Sequence, residues 1–140
     1  MTSDPPSPGD GAPAPSAPLV LIVDDDERNR KLARELLRRA GLETIEAASG
    51  RAAVELACER LPDVVLLDLR LPDMEGGDVA HALRKDQRMA HIPVVALTAL
   101  RYPDGGARLL ADAFSGYLEK PIDVDTFAEQ VSEYCRRPSA

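Results

Sequence analysis

Residues 64–77 read V-V-L-L-D-L-R-L-P-D-M-E-G-G, and this stretch decides the fold. Four apolar residues, Val64 to Leu67, run into one carboxylate, Asp68. Pro72, Gly76 and Gly77 then interrupt the chain. A short unbroken apolar run that ends in turn chemistry predicts a strand buried on both faces. Asp68 then stands at its C-terminal end, where open α/β sheets bind their ligands. Asp68 is therefore the first candidate for a reactive group.

Working outward, the same pattern recurs. Leu19 to Val23 is a second short apolar run, ended by Asp24-Asp25-Asp26. Glu43 to Ala47 is a third strand candidate. Val94 to Leu97 follows Pro93 and ends at Thr98, and Gly116 to Glu119 leads into Lys120-Pro121. Helical spacing fills the gaps. Leu32, Ala33, Leu36, Leu37 and Ala40 share one face of a helix from Glu27 to Ala40, which Gly41 stops. Ser49 caps a helix over 50–60 with Ala53, Leu56 and Ala57 inward. Val79, Ala82 and Leu83 mark a helix after Gly77. A short helix is expected around 107–113. Asp123 is expected to cap a final helix with Val124, Phe127, Ala128, Val131 and Cys135 on one side, and Arg136 and Arg137 at its C-terminal end. Five strands alternating with about five helices imply a doubly wound parallel sheet with helices on both faces.

Composition bounds the rest. The chain of 140 residues fits one folded domain, and 44% hydrophobic residues suffice for its core. Residues 1–18 hold six of the 12 prolines and no Lys or Arg, and read as a disordered tail. A net charge of −7 argues against direct nucleic-acid binding. No apolar run approaches a membrane span and no signal peptide is recognisable, so the expected location is cytoplasmic. Cys58 and Cys135 lack metal or redox spacing and read as ordinary half-buried thiols. His81 and His91 read as surface residues.

Four strands thus end in polar groups: Asp24-Asp25-Asp26, Asp68, Thr98 and Lys120. In a parallel sheet these ends share one edge. Carboxylates brought together raise one another's pKa unless a cation neutralises them. Mg²⁺, an oxygen-seeking ion held by one or two carboxylates, suits such a site. A carboxylate beside it is a competent nucleophile towards phosphorus. The metal, an ammonium and a hydroxyl can each take one phosphoryl oxygen.

These motifs, L-I-V-D-D-D, L-L-D-L-R-L-P-D-M-E-G, A-L-T-A and Y-L-E-K-P, resemble in order and spacing the receiver (CheY-like) domain of two-component response regulators. The run H-I-P-V-V-A-L-T-A and the single-domain length resemble more narrowly the stand-alone, DivK-like regulators. The resemblance implies a flavodoxin-like five-stranded sheet of order 2-1-3-4-5 over residues 19–137, with 138–140 as a C-terminal tail. It makes Asp68 the phosphoacceptor, forming 4-aspartylphosphate. It gives Mg²⁺, with Mn²⁺ as a substitute, to Asp25 directly, Asp24 through water, Asp68 and the backbone carbonyl of Arg70. Thr98 and Lys120 take phosphoryl oxygens, Thr98 and Tyr117 form the switch, and Pro121 carries a cis peptide bond that points Lys120 into the site. The implied donor is a sensor histidine kinase or His-phosphotransfer protein. The output is protein contact with a downstream target, by a monomer or a weak phosphorylation-dependent dimer. The domain is no enzyme beyond its own phosphotransfer and dephosphorylation.

Three features depart from the family pattern. Ala113 stands where many members have Gly. Tyr102-Pro103-Asp104-Gly105-Gly106 is unusual at the start of a helix. Arg70 and Leu100 occupy the positions that tune water access, and as a pair they are expected to shield the phosphoryl group and slow its loss. The rival readings are an unphosphorylated pseudo-receiver acting as an interaction module, a haloacid-dehalogenase-like phosphatase and a flavin carrier. The intact acidic pair, acceptor, Thr and Lys oppose the first. Arg70, where the phosphatases carry a second Asp, opposes the second. The scarcity of aromatics, at 4%, and the acidic cluster oppose the third.

Overall fold

The structure is a computed structural model that describes residues 17–99 and 114–136. The expected tail over 1–16, Leu100, the 102–106 turn, the helix around 107–113 with Ala113, Arg137 and 138–140 lie outside the described residues. The elements are β1 (Leu19–Val23), α1 (Glu27–Arg39), β2 (Glu43–Ala47), α2 (Gly50–Arg60), β3 (Val64–Asp68), α3 (Gly76–Lys85), β4 (Val94–Thr98), β5 (Gly116–Glu119) and α4 (Phe127–Arg136). The strands form one parallel sheet in the order β2-β1-β3-β4-β5. This is the doubly wound architecture expected from the alternation of apolar runs and amphipathic stretches.

β3 sits at the centre and all five of its residues are buried. Alternate residues serve opposite faces, as a pleated strand requires. Val65 and Leu67 join Leu21, Val23, Val94 and Ala96 in one apolar cluster, closed by Ala53 and Ala57 of α2 and Val79, Ala80 and Leu83 of α3. Val64 and Leu66 join Val20, Ile22, Val95 and Leu97 in the other, closed by Ala33 and Leu37 of α1 and Phe127 and Val131 of α4. Each fully buried Leu, Ile or Phe here contributes about 1.5–3 kcal/mol of transfer free energy. A central strand covered on both faces therefore needs the continuous run V-V-L-L, not an alternating one.

The helix ends follow local chemistry. Asp26 is the N-cap of α1 and accepts from the Arg28 amide at 2.8 Å. At the other end Gly41 adopts φ +89°, where a side chain would be strained. Its amide donates to the Arg38 carbonyl and the Leu42 amide donates to the Leu37 carbonyl, both at 3.0 Å. That pair of bonds is a Schellman stop. Ser49 caps α2 by accepting from the Ala52 amide at 3.2 Å.

Three expectations about faces need correction. Leu32 is 38% exposed and Ala40, the C-cap, is exposed too, because the buried stripe of α1 is the narrow one through Ala33 and Leu37. On α3 Ala80 is buried and Ala82 only partly so, while Val79 and Leu83 face inward as expected. Val124 is 58% exposed and precedes α4. The Asp123 carboxylate accepts from the Asp125 amide, and its carbonyl accepts from Thr126 and Phe127, so Asp123 opens a turn before the helix. His81 and His91 are exposed, and Cys58 and Cys135 are half-buried.

Candidate functional site at the carboxyl edge of the sheet

Chain order reverses between β1 and β3: β2 lies beyond β1 on one side, β4 and β5 beyond β3 on the other. Connections leave in opposite directions there and open a crevice at the carboxyl ends of the strands. Val23 is level with Leu67, so Asp24 and Asp68 end neighbouring strands one residue further on. Asp68 pairs in register with Leu97, and Thr98 with Glu119. The parallel register thus delivers Asp24, Asp25, Asp68, Thr98 and Lys120 to one cleft of about 400 Å³, together with Asn29 and Arg70.

One oxygen each from Asp24, Asp25 and Asp68 lies within 4.8 Å of the others. Asp24 is 1% exposed and Asp68 9% exposed, whereas Asp25 faces solvent. Lys120 Nζ lies 3.2 Å from Asp68 Oδ2 and 3.3 Å from Asp24 Oδ2. One ammonium is thereby shared by two buried carboxylates. Its backbone is fixed as well: the Lys120 amide donates to the Thr98 carbonyl at 2.8 Å, and the Lys120–Pro121 peptide bond is cis. Thr98 is buried at the end of β4.

The Asp68 carboxyl is held above its usual range. Burial is the larger cause and the neighbouring Asp24 charge adds to it; the Arg70 amide, 3.1 Å from Oδ1, and the Lys120 ammonium oppose the shift without cancelling it. Three carboxylates face one ammonium here, so the cluster as a whole is short of positive charge. A divalent cation fits it on donor chemistry: every candidate ligand is an oxygen, three are carboxylates, and two of those are removed from water.

Tyr117 lies two residues after Ser115 on β5, level with Ala96 of β4. It is half-buried, packs against the cluster under α2 and α3, and also borders a cavity of about 570 Å³ with Ile122 and Phe127. Arg70 is exposed and forms an isolated bridge with Glu75 across the turn after β3.

Several site residues were not found by sequence reasoning. Asn29 Nδ2 donates to Asp24 Oδ2 at 3.2 Å, and the Asp26 amide donates to Asp24 Oδ1 at 2.9 Å. Arg30 donates to the Asp24 carbonyl at 2.8 Å while its Nε reaches Glu46 on β2 at 3.2 Å. Asp73 accepts from the first two amides of α2. Only Asp26 carried a readable signal, an acidic residue directly before a helix. The others act across gaps that no local pattern encodes.

Comparison with known proteins places this geometry. The family described as the response regulator receiver domain matches residues 20–132, and the chain belongs to that family. It is 40% identical over 115 residues to the polar-differentiation response regulator DivK of Brucella ovis, covering 82% of this chain and 94% of that one. The DivK of Brucella anthropi is 39% identical over the same shares. Among solved structures, the chemotaxis response regulator CheY4 of Vibrio cholerae superposes with a TM-score of 0.79 at 29% identity, over 84% of this chain and 98% of that chain. The receiver domain of the Francisella response regulator 1452 gives 0.77 at 28% identity, over 86% and 98%. The protein is a DivK-like receiver of a two-component phosphorelay. Such a domain works with a phosphodonor kinase, and its family is not one of classical enzymes. No helix among the described residues is long and apolar enough to cross a membrane.

Proposed function

We propose that Asp68 is the phosphoacceptor of this receiver and that the cleft around it carries the whole of the transfer. The observation that carries the reading is the Lys120 ammonium shared between Asp68 at 3.2 Å and Asp24 at 3.3 Å, beneath a cluster still short of positive charge. Asp25 would hold Mg²⁺ directly and Asp24 mainly through water, with Asp68 and the Arg70 carbonyl as the further protein ligands; Mn²⁺ could replace it. When bound, the cation supplies the charge that keeps Asp68 ionised and neutralises the incoming phosphoryl oxygens.

The chemistry of the chain's own groups follows. An Asp68 oxygen forms a bond to the phosphorus of a phosphohistidine as the phosphorus–nitrogen bond breaks, and the electron pair returns to the donor imidazole. Lys120 releases part of its hold on Asp24 and pairs with one phosphoryl oxygen. The Thr98 hydroxyl donates to another. The added charge, about −1.5 to −2 by analogy with other phosphorylated side chains, draws both groups inward. Tyr117, at the border between the apolar interior and the cavity beside α4, moves with Thr98 and changes the face that β5 and α4 present. The donor is a sensor histidine kinase or a His-phosphotransfer protein in the cytoplasm. The recipient is a downstream protein, and the receiver unit spans residues 19–137.

The test is direct. Incubation with Mg²⁺ and acetyl phosphate should add one phosphoryl group by intact mass, and Asp68→Asn should add none. A wild type that stays unmodified and is also silent to beryllofluoride would instead be an interaction module that is never phosphorylated.

A further inference from the structure

The turn after β3 is held from outside itself. Asp73 Oδ1 accepts from the Gly50 amide at 2.8 Å and Oδ2 from the Arg51 amide at 3.0 Å. These are the first two amides of α2, and Ser49 Oγ takes the amide of Ala52. A helix leaves its first four amides without internal partners, and an anion is favoured there. Ordinarily a residue just before the helix serves that end. Here the carboxylate comes from a turn 23 residues downstream. The two amides hold the Asp73 carboxyl below its ordinary range.

The contact is close-packed. A Cβ on Gly50 would lie 2.8 Å from Met74 Sδ and 2.9 Å from Val79 Cγ2, so only glycine lets the turn approach α2 this closely. Within the turn the Gly76 amide donates to the Leu69 carbonyl at 3.2 Å, Arg70 bridges Glu75, and the Arg70 amide donates to Asp68 at 3.1 Å. Residues 69–75 therefore join the acceptor carboxylate at one end to the N-terminus of α2 at the other.

We propose that Asp73 is a positioning residue: its bidentate grip on α2 fixes the turn that carries the Arg70 carbonyl, and so sets the affinity of the site for a divalent cation. The inference deepens the function reading above and rests on it. Asp73 touches neither the cation nor the phosphoryl group. It acts by removing freedom from a ligand-bearing turn, adding two directional hydrogen bonds to the packing of Met74 on Gly50.

Calorimetric titration of metal-free protein with MgCl₂ tests it. Asp73→Ala should weaken Mg²⁺ binding about tenfold, the lower end of what outer partners of metal ligands contribute. Ser49→Ala is the control. It uncaps the same helix end without touching the turn, so it should lower thermal stability comparably and leave Mg²⁺ affinity unchanged. Amide hydrogen exchange over 69–77 in metal-free buffer should quicken in D73A and not in S49A. Equal Mg²⁺ affinity in D73A and wild type overturns the proposal, as does an equal loss in S49A, which would trace the effect to α2 alone. Should D73A fail to fold, Asp73→Asn carries the comparison: its amide oxygen keeps part of the grip, and roughly threefold weaker binding is expected, with wild-type affinity overturning the idea. A wild type that binds no Mg²⁺ overturns the reading of the acidic cluster and this inference together.

Discussion

Replacing Asp68 by Asn should stabilise the metal-free protein at neutral pH. The oxygens of Asp24, Asp25 and Asp68 lie within 4.8 Å of one another. At an effective dielectric of about 20, two unit charges at that separation repel by roughly 3–4 kcal/mol. Asp25 faces solvent, so its share falls well below that figure. Lys120, 3.2 Å from Asp68, attracts by about 5 kcal/mol on the same scale. Repulsion and attraction therefore nearly cancel for Asp68. What remains is the desolvation of a carboxylate that is 9% exposed, and this is also the largest reason its pKa is raised. Asn keeps the shape and the acceptor for the Arg70 amide, removes the buried charge and leaves Lys120 to Asp24. A gain on the order of 1–2 kcal/mol follows.

The pH dependence has a fixed sign. A carboxyl whose pKa is raised on folding binds its proton more firmly in the native state. Its favourable contribution is fully present below the unfolded value and is lost as pH rises through the folded value. The stability gap between Asp68→Asn and wild type should thus be small near pH 3.5 and widen towards neutrality. Urea unfolding in chelator at several pH values, repeated with MgCl₂, gives the measurement. Added Mg²⁺ should close the gap by stabilising wild type more than the variant. A variant less stable than wild type at pH 7.5 in chelator would refute the reasoning, because it would mean that Lys120 outweighs burial.

Lys120→Ala should slow phosphorylation by acetyl phosphate at least tenfold, since Asp68 loses its nearest cation and a phosphoryl oxygen its partner; the rate of adduct formation by mass checks it. Gly76→Ala places a Cβ 3.0 Å from the Leu69 backbone, next to Asp68, and should cost about 1–3 kcal/mol in urea unfolding. Gly41→Ala meets no neighbour but must hold φ +89°, so it should cost about 1–2 kcal/mol while leaving the phosphorylation rate intact. Substituting a small polar residue for Leu100 should speed loss of the phosphoryl group, timed by mass; unchanged or slower decay would argue against shielding.

Much of the fold was legible because local physics and tertiary structure agree. V-V-L-L, bounded by turn chemistry, reads as a strand buried on both faces, and Gly41 and Ser49 mark helix ends with chemistry that acts over two or three residues. The faces were less legible. Leu32 has the right spacing for the core but lies at the margin of a stripe whose width is set by how α1 sits on the sheet. Val124 was counted into α4 because an apolar residue after Asp123 looks the same whether the helix starts there or three residues later.

The site divides the same way. The sequence by itself placed an ionisable or hydroxyl group at the end of each of four strands, because strand ends are marked by apolar runs and their punctuation. It could not give the distances, since Asp24 and Lys120 are separated by 96 positions and meet only through the register of β1, β3, β4 and β5. Nor could it show that one ammonium serves two buried carboxylates, that Arg30 spans from Asp24 to Glu46, or that Asp73 grips α2. Sequence pattern reports what each segment buries; which charges then face one another is decided by how the buried faces stack.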